Sequence, residues 1–176
     1  MSSRCQSADA GSILVAIGAN LPGPAGAEPI ETCRSAALAL DALPGLRIVA
    51  LSRWWASAPI PPSDQPDYVN GVARLSGETT PEGLLQALKT LERQAGRQPA
   101  GMPGEARPLD LDIIAIGPLV RQDPDPILPH PRAHLRAFVL APLAEVAPGW
   151  VHPILGQPVE VLLAALPPQR LRPLGP

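Results

Sequence analysis

Arg107-Pro108-Leu109-Asp110-Leu111-Asp112-Ile113-Ile114 is the stretch on which the reading of this chain turns. It has the composition of a buried strand and yet carries two carboxylates at alternate positions. Strand side chains alternate between faces, so Asp110 and Asp112 point to one side while Leu109, Leu111 and Ile113 fill the other. The leucine face joins a core, and the acidic face must meet something polar. At roughly 6 to 7 Å between Cα atoms, two carboxylates repel by about 1 kcal/mol in water and about 3 kcal/mol at an effective dielectric near 20. A divalent cation would remove that cost, and Mg²⁺ takes paired oxygen ligands together with water and phosphate at nucleotide sites. A solvated strand end whose acids discourage edge pairing fits the pattern equally well.

Working outward from this strand gives the fold class. Ser12 to Ile17 reads as a first strand that ends in the loop Gly18-Ala19-Asn20-Leu21. A helix follows, with Pro29 in its first turn, Ala36, Ala37, Leu40 and Leu43 at helical spacing, and Pro44-Gly45 as its stop. Leu46 to Trp55 reads as a second strand. Pro59, Pro61, Pro62 and Pro66 impose a stiff loop between Ser57 and Pro66, and strand character resumes from Tyr68 to Leu75. Thr80 is the expected N-cap of a second helix whose stripe is Leu84, Leu85, Leu88 and Leu91 and whose stop is Gly96. The acidic strand then completes the order strand, helix, strand, strand, helix, strand. That order predicts an α+β, ferredoxin-like fold, an antiparallel sheet with two helices on one face. C-terminal additions follow: a turn at Gly117-Pro118, helices over Arg132 to Leu140 and Val159 to Leu166, and a loosely held tail over 167–176.

With 176 residues, 45% of them hydrophobic and 17% charged, the chain fits one globular domain spanning 1–176 with a core over about 12–166. A net charge of −2 gives no general attraction to nucleic acid or anionic membranes, so any anion site must be local. Thirteen of the fourteen basic residues are arginine, the side chain that forks onto phosphate, although a GC-rich genome produces the same bias. Cys5 and Cys33 form neither a disulfide framework nor a zinc site. The apolar run Ile13 to Ile17 is too short for a signal-peptide core or a membrane span, and the expectation is a cytoplasmic protein. The 25 prolines cluster at 22–29, 59–66, 99–108, 124–131 and 167–176, as loops do.

Several landmarks stand in a common order over about residues 13–150. They are Ile17-Gly18-Ala19-Asn20-Leu21, Asp64-Gln65-Pro66-Asp67-Tyr68-Val69-Asn70, Leu91-Glu92 with Gly96-Arg97, and the acidic strand. Leu128-Pro129-His130-Pro131-Arg132, Arg136-Ala137-Phe138-Val139-Leu140 and Pro142-Leu143 complete the set. Together they resemble the 6-hydroxymethyl-7,8-dihydropterin pyrophosphokinase family, which moves pyrophosphate from ATP to a pterin alcohol in folate biosynthesis. The resemblance implies a magnesium-dependent ATP diphosphotransferase in which Asp110 and Asp112 bind two Mg²⁺ ions that bridge the ATP phosphates. This reading of the acid pair displaces the solvated strand end.

By the same resemblance Arg97 and Arg107 are the catalytic guanidinium groups, since phosphoryl-type transfer asks a protein mainly for positioning and charge neutralisation. Without it, Arg97 would read as an ordinary cation at a helix C-terminus. Asn70 matches the reader of the pterin edge, with Ser57, Ala58 and Ile60 adding contacts and Tyr68 and Phe138 supplying aromatic faces. His130 and Arg136 match groups for the nucleotide phosphates, and Glu92 and Ile113 match positions at the nucleoside end. Arg132 and Arg136 are neighbours if their segment is helical; His134 and His152 take no role. The expected partners are small molecules, ATP and the pterin, with neither nucleic acid nor membrane, acting on a monomer. The loop from Gln98 to Ala106 departs from the family, with Gly104 where a tryptophan is usual and without the extra basic residues, and Ala19 replaces a common serine. The alternative is therefore a non-catalytic pterin- or nucleotide-binding relative with a degenerate loop.

Overall fold

The computed structural model describes residues 11–98 and 105–175. Strand β1 (Ile13–Ala19) lies inside an antiparallel sheet between β5 (Asp110–Ile116) and the long β4 (Tyr68–Gly77). β2 (Leu46–Leu51) and β3 (Trp55–Ser57) share the far edge of β4, and β6 (Leu171–Pro173) adds to β3. With β2 and β3 taken as one interrupted strand, this is the expected ferredoxin-like order. β1 reads as a nearly continuous apolar run because both of its faces are covered. Ile13, Val15 and Ile17 enter one core with helices α1 (Pro29–Asp41) and α2 (Pro81–Gln94), while Leu14 enters a second core.

Both helices begin where their sequence signals say. Glu28 and Glu31 form a capping box at α1. The Thr80 hydroxyl accepts from the Gly83 N–H at 3.0 Å, a cap worth about 1 kcal/mol. Leu84 and Leu88 of α2 are buried against the sheet, each contributing roughly 1.5 to 3 kcal/mol. Gly96, at φ 91°, supplies the left-handed residue that ends the helix.

The C-terminal additions cover the opposite face. Helices α3 (Ala137–Val146) and α4 (Val159–Ala164) pack on Leu14, Val72, Ile114 and Ala115, so Ile114 belongs to the same face as the two aspartates. The helix expected over Arg132 to Leu140 is instead a short 3-10 turn at Ala133–Leu135 and then α3, separated by an extended Arg136 at φ −124° and ψ 109°. Arg132 and Arg136 are therefore not on one helix.

Two further expectations are corrected. The single strand from Leu46 to Trp55 is broken after Leu51, where the Ser52 hydroxyl accepts from the Val72 N–H at 2.9 Å in place of a backbone carbonyl. The break lets Trp54 turn inward over Gly71, where a Cβ would lie 2.6 Å from its ring. The tail is not loose: Ala58 N–H donates to the Arg170 carbonyl at 3.3 Å and Leu174 N–H to the Trp54 carbonyl at 2.8 Å. β6 thereby covers an edge that β3 would otherwise leave unpaired, and Pro173 stands on the outermost strand, where a missing donor is tolerated. No helix among the described residues is long and apolar enough to cross a membrane.

Candidate active site

The site begins where side chains on β1 become small. Toward the second core, Leu14 is followed by Ala16 and then Gly18. In register, Ala16 lies between Val72 and Asp112, and Gly18 between Asn70 and Asp110. Cross-strand partners share a face, so Gly18 leaves an open floor between an amide on β4 and a carboxylate on β5. A cleft of about 260 Å³ stands above that floor.

One wall is apolar with a few aimed polar groups. Ser57 ends β3, Ala58 and Ile60 follow on the proline-stiffened loop, Tyr68 and Asn70 lie two apart on β4, and Phe138 opens α3; all of them line the cleft. Asn70 is buried and its Nδ2 donates to the Ser57 hydroxyl at 2.8 Å, which fixes the amide's orientation. The Tyr68 hydroxyl lies 3.1 Å from Gln65 Oε1 and 3.3 Å from the Glu105 carbonyl, and burial raises its pKa. A flat heterocycle with donors and acceptors along one edge suits such a wall.

The other wall is charged. Asp110 Oδ1 accepts from Arg107 Nη1 at 2.7 Å and from Arg97 Nη1 at 2.9 Å, so two guanidinium groups converge on one oxygen. Asp112 is the less compensated acid: burial first, and then the charge of Asp110, push its carboxyl up to about 6. His130 is held down to about 4, by burial first and then by the Arg136 and Arg132 cations. Its Nδ1 accepts from the Arg132 N–H at 3.1 Å, which leaves the proton of the neutral ring on Nε2, 3.7 Å from Asp112 Oδ2. The Arg136 guanidinium, also partly desolvated, lies 5.6 Å from the centre of the Phe138 ring and joins the two walls.

Glu92, Ile113 and Arg97 do not line this cleft. The Ile113 side chain is in the core with α1 and α2, on the face opposite the acids. Glu92 is buried behind β5, where Oε1 accepts from the Leu111 N–H at 2.7 Å and contacts Arg97; burial raises its pKa. Arg97 reaches the site only through Asp110. Most of the loop that departs from the family, Gly104 included, falls outside the described residues, since 99–104 are not described.

One residue of the arrangement carried no role in the sequence reading. Asn20, 1% exposed, accepts from the Arg107 N–H at 2.8 Å and donates toward Gln65 Oε1 and the Pro66 carbonyl, each at 3.3 Å. It thus ties the loop after β1 to the approach of β4 and to the entry of β5. The available signal was an asparagine directly after a buried strand, a place where its side chain can satisfy loop backbone.

Comparison with known proteins bears on the same arrangement. Residues 14–148 match the family model for 7,8-dihydro-6-hydroxymethylpterin-pyrophosphokinase. The chain belongs to this family. It is therefore a pyrophosphokinase, transferring pyrophosphate from ATP to hydroxymethyldihydropterin in folate biosynthesis. Among relatives named 2-amino-4-hydroxy-6-hydroxymethyldihydropteridine pyrophosphokinase, that of Pseudomonas aeruginosa is 41% identical over 155 residues, covering 88% of this chain and 91% of its own. That of Haemophilus influenzae is 38% identical over 139 residues, covering 79% and 83%. The fold is also that of the solved wild-type HPPK-DHPS of Plasmodium falciparum, at TM-score 0.66 and 10% identity. This likeness covers 87% of the present pyrophosphokinase and 44% of that longer chain.

Proposed function

We propose that this cleft carries the family's transfer with Asp110 and Asp112 as ligands of two Mg²⁺ ions, the pterin against the Asn70 wall and the ATP phosphates against the arginine wall. The observation that carries the reading is the disposition of the acids. They lie two apart on β5, in register with Ala16 and Gly18 of β1, both line the cleft, and they supply only oxygen donors. Such a pair fits a hard cation, with the remaining coordination left to phosphate oxygens and water. When bound, Mg²⁺ would neutralise and hold the polyphosphate oxygens.

The chain's own groups do the rest. Ser57 and Asn70 fix the pterin edge, and Tyr68 and Phe138 flank the ring, which aims the hydroxymethyl oxygen toward the acids. That oxygen attacks the β-phosphorus of ATP in line, the new O–P bond forms as the bond to the bridging α,β-oxygen breaks, and AMP departs. Arg107 and Arg136 offer guanidinium groups for the charge that accumulates on phosphate oxygens, and Arg97 acts from behind them through its ion pair with Asp110. His130, neutral with its proton on Nε2, is a hydrogen-bond donor on this wall. The hydroxymethyl proton leaves to water or phosphate, with no side chain required as base.

Incubation with ATP, Mg²⁺ and 6-hydroxymethyl-7,8-dihydropterin should yield AMP and the pterin diphosphate in equal amounts, with no turnover once Mg²⁺ is chelated. Asp110→Ala and Asp112→Ala should each abolish turnover in a folded protein. Normal turnover in both variants would defeat the metal assignment.

A further inference from the structure

Arg136 occupies an unusual place in the backbone. It is the extended residue between a 3-10 turn and α3, it takes the N-cap position, and no side chain of its own segment caps the helix. Its direction into the cleft therefore depends on what holds this one peptide on either side. Its own N–H donates to the Ala133 carbonyl at 3.2 Å and its carbonyl accepts from Val139 and Leu140 at 3.0 Å, while the groups on either side are held by the tail. Gln169 Oε1 accepts from the Ala137 N–H at 2.9 Å, and Gln169 Nε2 donates to the Leu135 carbonyl at 3.2 Å. A single primary amide thus grips the backbone immediately before and immediately after Arg136, as a neighbouring strand would.

Gln169 is itself anchored. The next residues form β6, where Leu171 pairs with Ser57 and Arg172 with Ala56, and Arg170 reaches Asp67 at 3.3 Å. One short segment is therefore hydrogen-bonded both to the loop that supplies the pterin wall and to the turn that supplies Arg136. We propose that Gln169 is a positioning residue for the transfer, which fixes the extended conformation of Arg136 and so the separation of its guanidinium from the Ser57–Ala58 wall. The inference rests on the reading of Arg136 as a phosphate-holding group.

The test is a double-mutant cycle of Gln169→Met and Arg136→Ala, read by ATP KM, pterin KM, kcat and thermal midpoint. Methionine keeps the length and bulk of Gln169 and removes both hydrogen bonds. Expected for Gln169→Met are a midpoint lowered by a few degrees and, at temperatures where the variant is fully folded, an ATP KM raised on the order of five- to tenfold, the size of one lost hydrogen bond. In the Arg136→Ala background the same change should add almost nothing, because the residue it positions is gone. Gln169→Glu, which keeps the acceptor for Ala137 and loses the donor to Leu135, should fall between parent and methionine variant in ATP KM. An unchanged ATP KM in Gln169→Met, beside a defective Arg136→Ala, would overturn the proposal and leave the phosphate reading intact. Equal effects of Gln169→Met in both backgrounds would overturn it also. A silent Arg136→Ala would overturn the phosphate reading, and the proposal with it.

Discussion

Replacing Asn20 with alanine removes one buried side chain that touches neither acid, and the consequence for the site follows from its bonds. The shortest is to the Arg107 N–H at 2.8 Å, and removing this acceptor from a part-buried donor costs about 1 to 3 kcal/mol. The contacts to Gln65 and Pro66, at 3.3 Å each, are long and add about 1 kcal/mol together. The Asn20 N–H retains the Arg107 carbonyl at 3.0 Å, so the backbone junction persists. A loss of about 2 to 4 kcal/mol in a chain of this size lowers the thermal midpoint by about 5 to 15 °C. Calorimetry measures that shift. Steady-state kinetics should show more than the stability loss alone, because Arg107 carries a guanidinium to Asp110 and Gln65 holds the Tyr68 hydroxyl. A fall in kcat/KM is expected at temperatures where the variant is still fully folded. Asn20→Asp keeps an acceptor for Arg107 but turns an anionic oxygen toward two other oxygens, and should lie between parent and alanine in stability. A midpoint for Asn20→Ala within about 1 °C of the parent, with unchanged kcat/KM, would show that Asn20 does not hold the junction.

Two other outcomes follow from packing and burial. Gly71→Ala places a Cβ 2.6 Å from the Trp54 ring, so urea titration should show a loss of about 1 to 3 kcal/mol and tryptophan emission should shift as the ring is pushed from its pocket. His152 is buried, and desolvation, then the neighbouring His134, depress its pKa below the ordinary 6.5. The unfolded chain then binds more protons than the folded one just below that value, so this residue's contribution is present above about pH 6.5 and is lost as pH falls. Stability of His152→Gln, measured across pH 5 to 7.5, should fall less steeply on acidification than that of the parent, and parallel curves would contradict this.

What was legible in the sequence was local and periodic. Alternation in Asp110–Ile116 gave both the strand and the common face of the two acids, and the leucine stripe of α2 with Thr80 and Gly96 gave a helix with its ends. What was not legible depends on partners far along the chain. The break after Leu51 leaves no mark in the period, because a serine hydroxyl takes over one rung of the ladder from within the loop. β6 is three residues long, one of them proline, and owes its order to the free edge of β3. The bonds of Asn20 run to residues 45, 46 and 87 positions away, and Gln169 reaches back 32 and 34. Arg132 and Arg136 looked like helical neighbours because a 3-10 turn followed by a helix has nearly the apolar spacing of one continuous helix.

The position of the site is a consequence of the same alternation that builds the cores. The first core needs large side chains at Ile13, Val15 and Ile17 along the whole of β1, since α1 and α2 cover that face. The second core needs one only at Leu14, because α3 and α4 cover the face around Leu14, Val72 and Ile114 and the cleft takes over beyond them. Past that point β1 offers Ala16 and Gly18, β5 offers Asp112 and Asp110, and β4 offers Asn70, all in register. The acids thus stand where one core ends, still 31% and 41% exposed at the cleft, with partial desolvation raising Asp112. A bulky residue at position 18 would extend the second core into the cleft and close its floor. The strand backbone at Gly18 is one any residue could adopt, and a Cβ there would lie 3.4 Å from Asn70 Oδ1, so it is side chains beyond alanine that the cleft floor excludes.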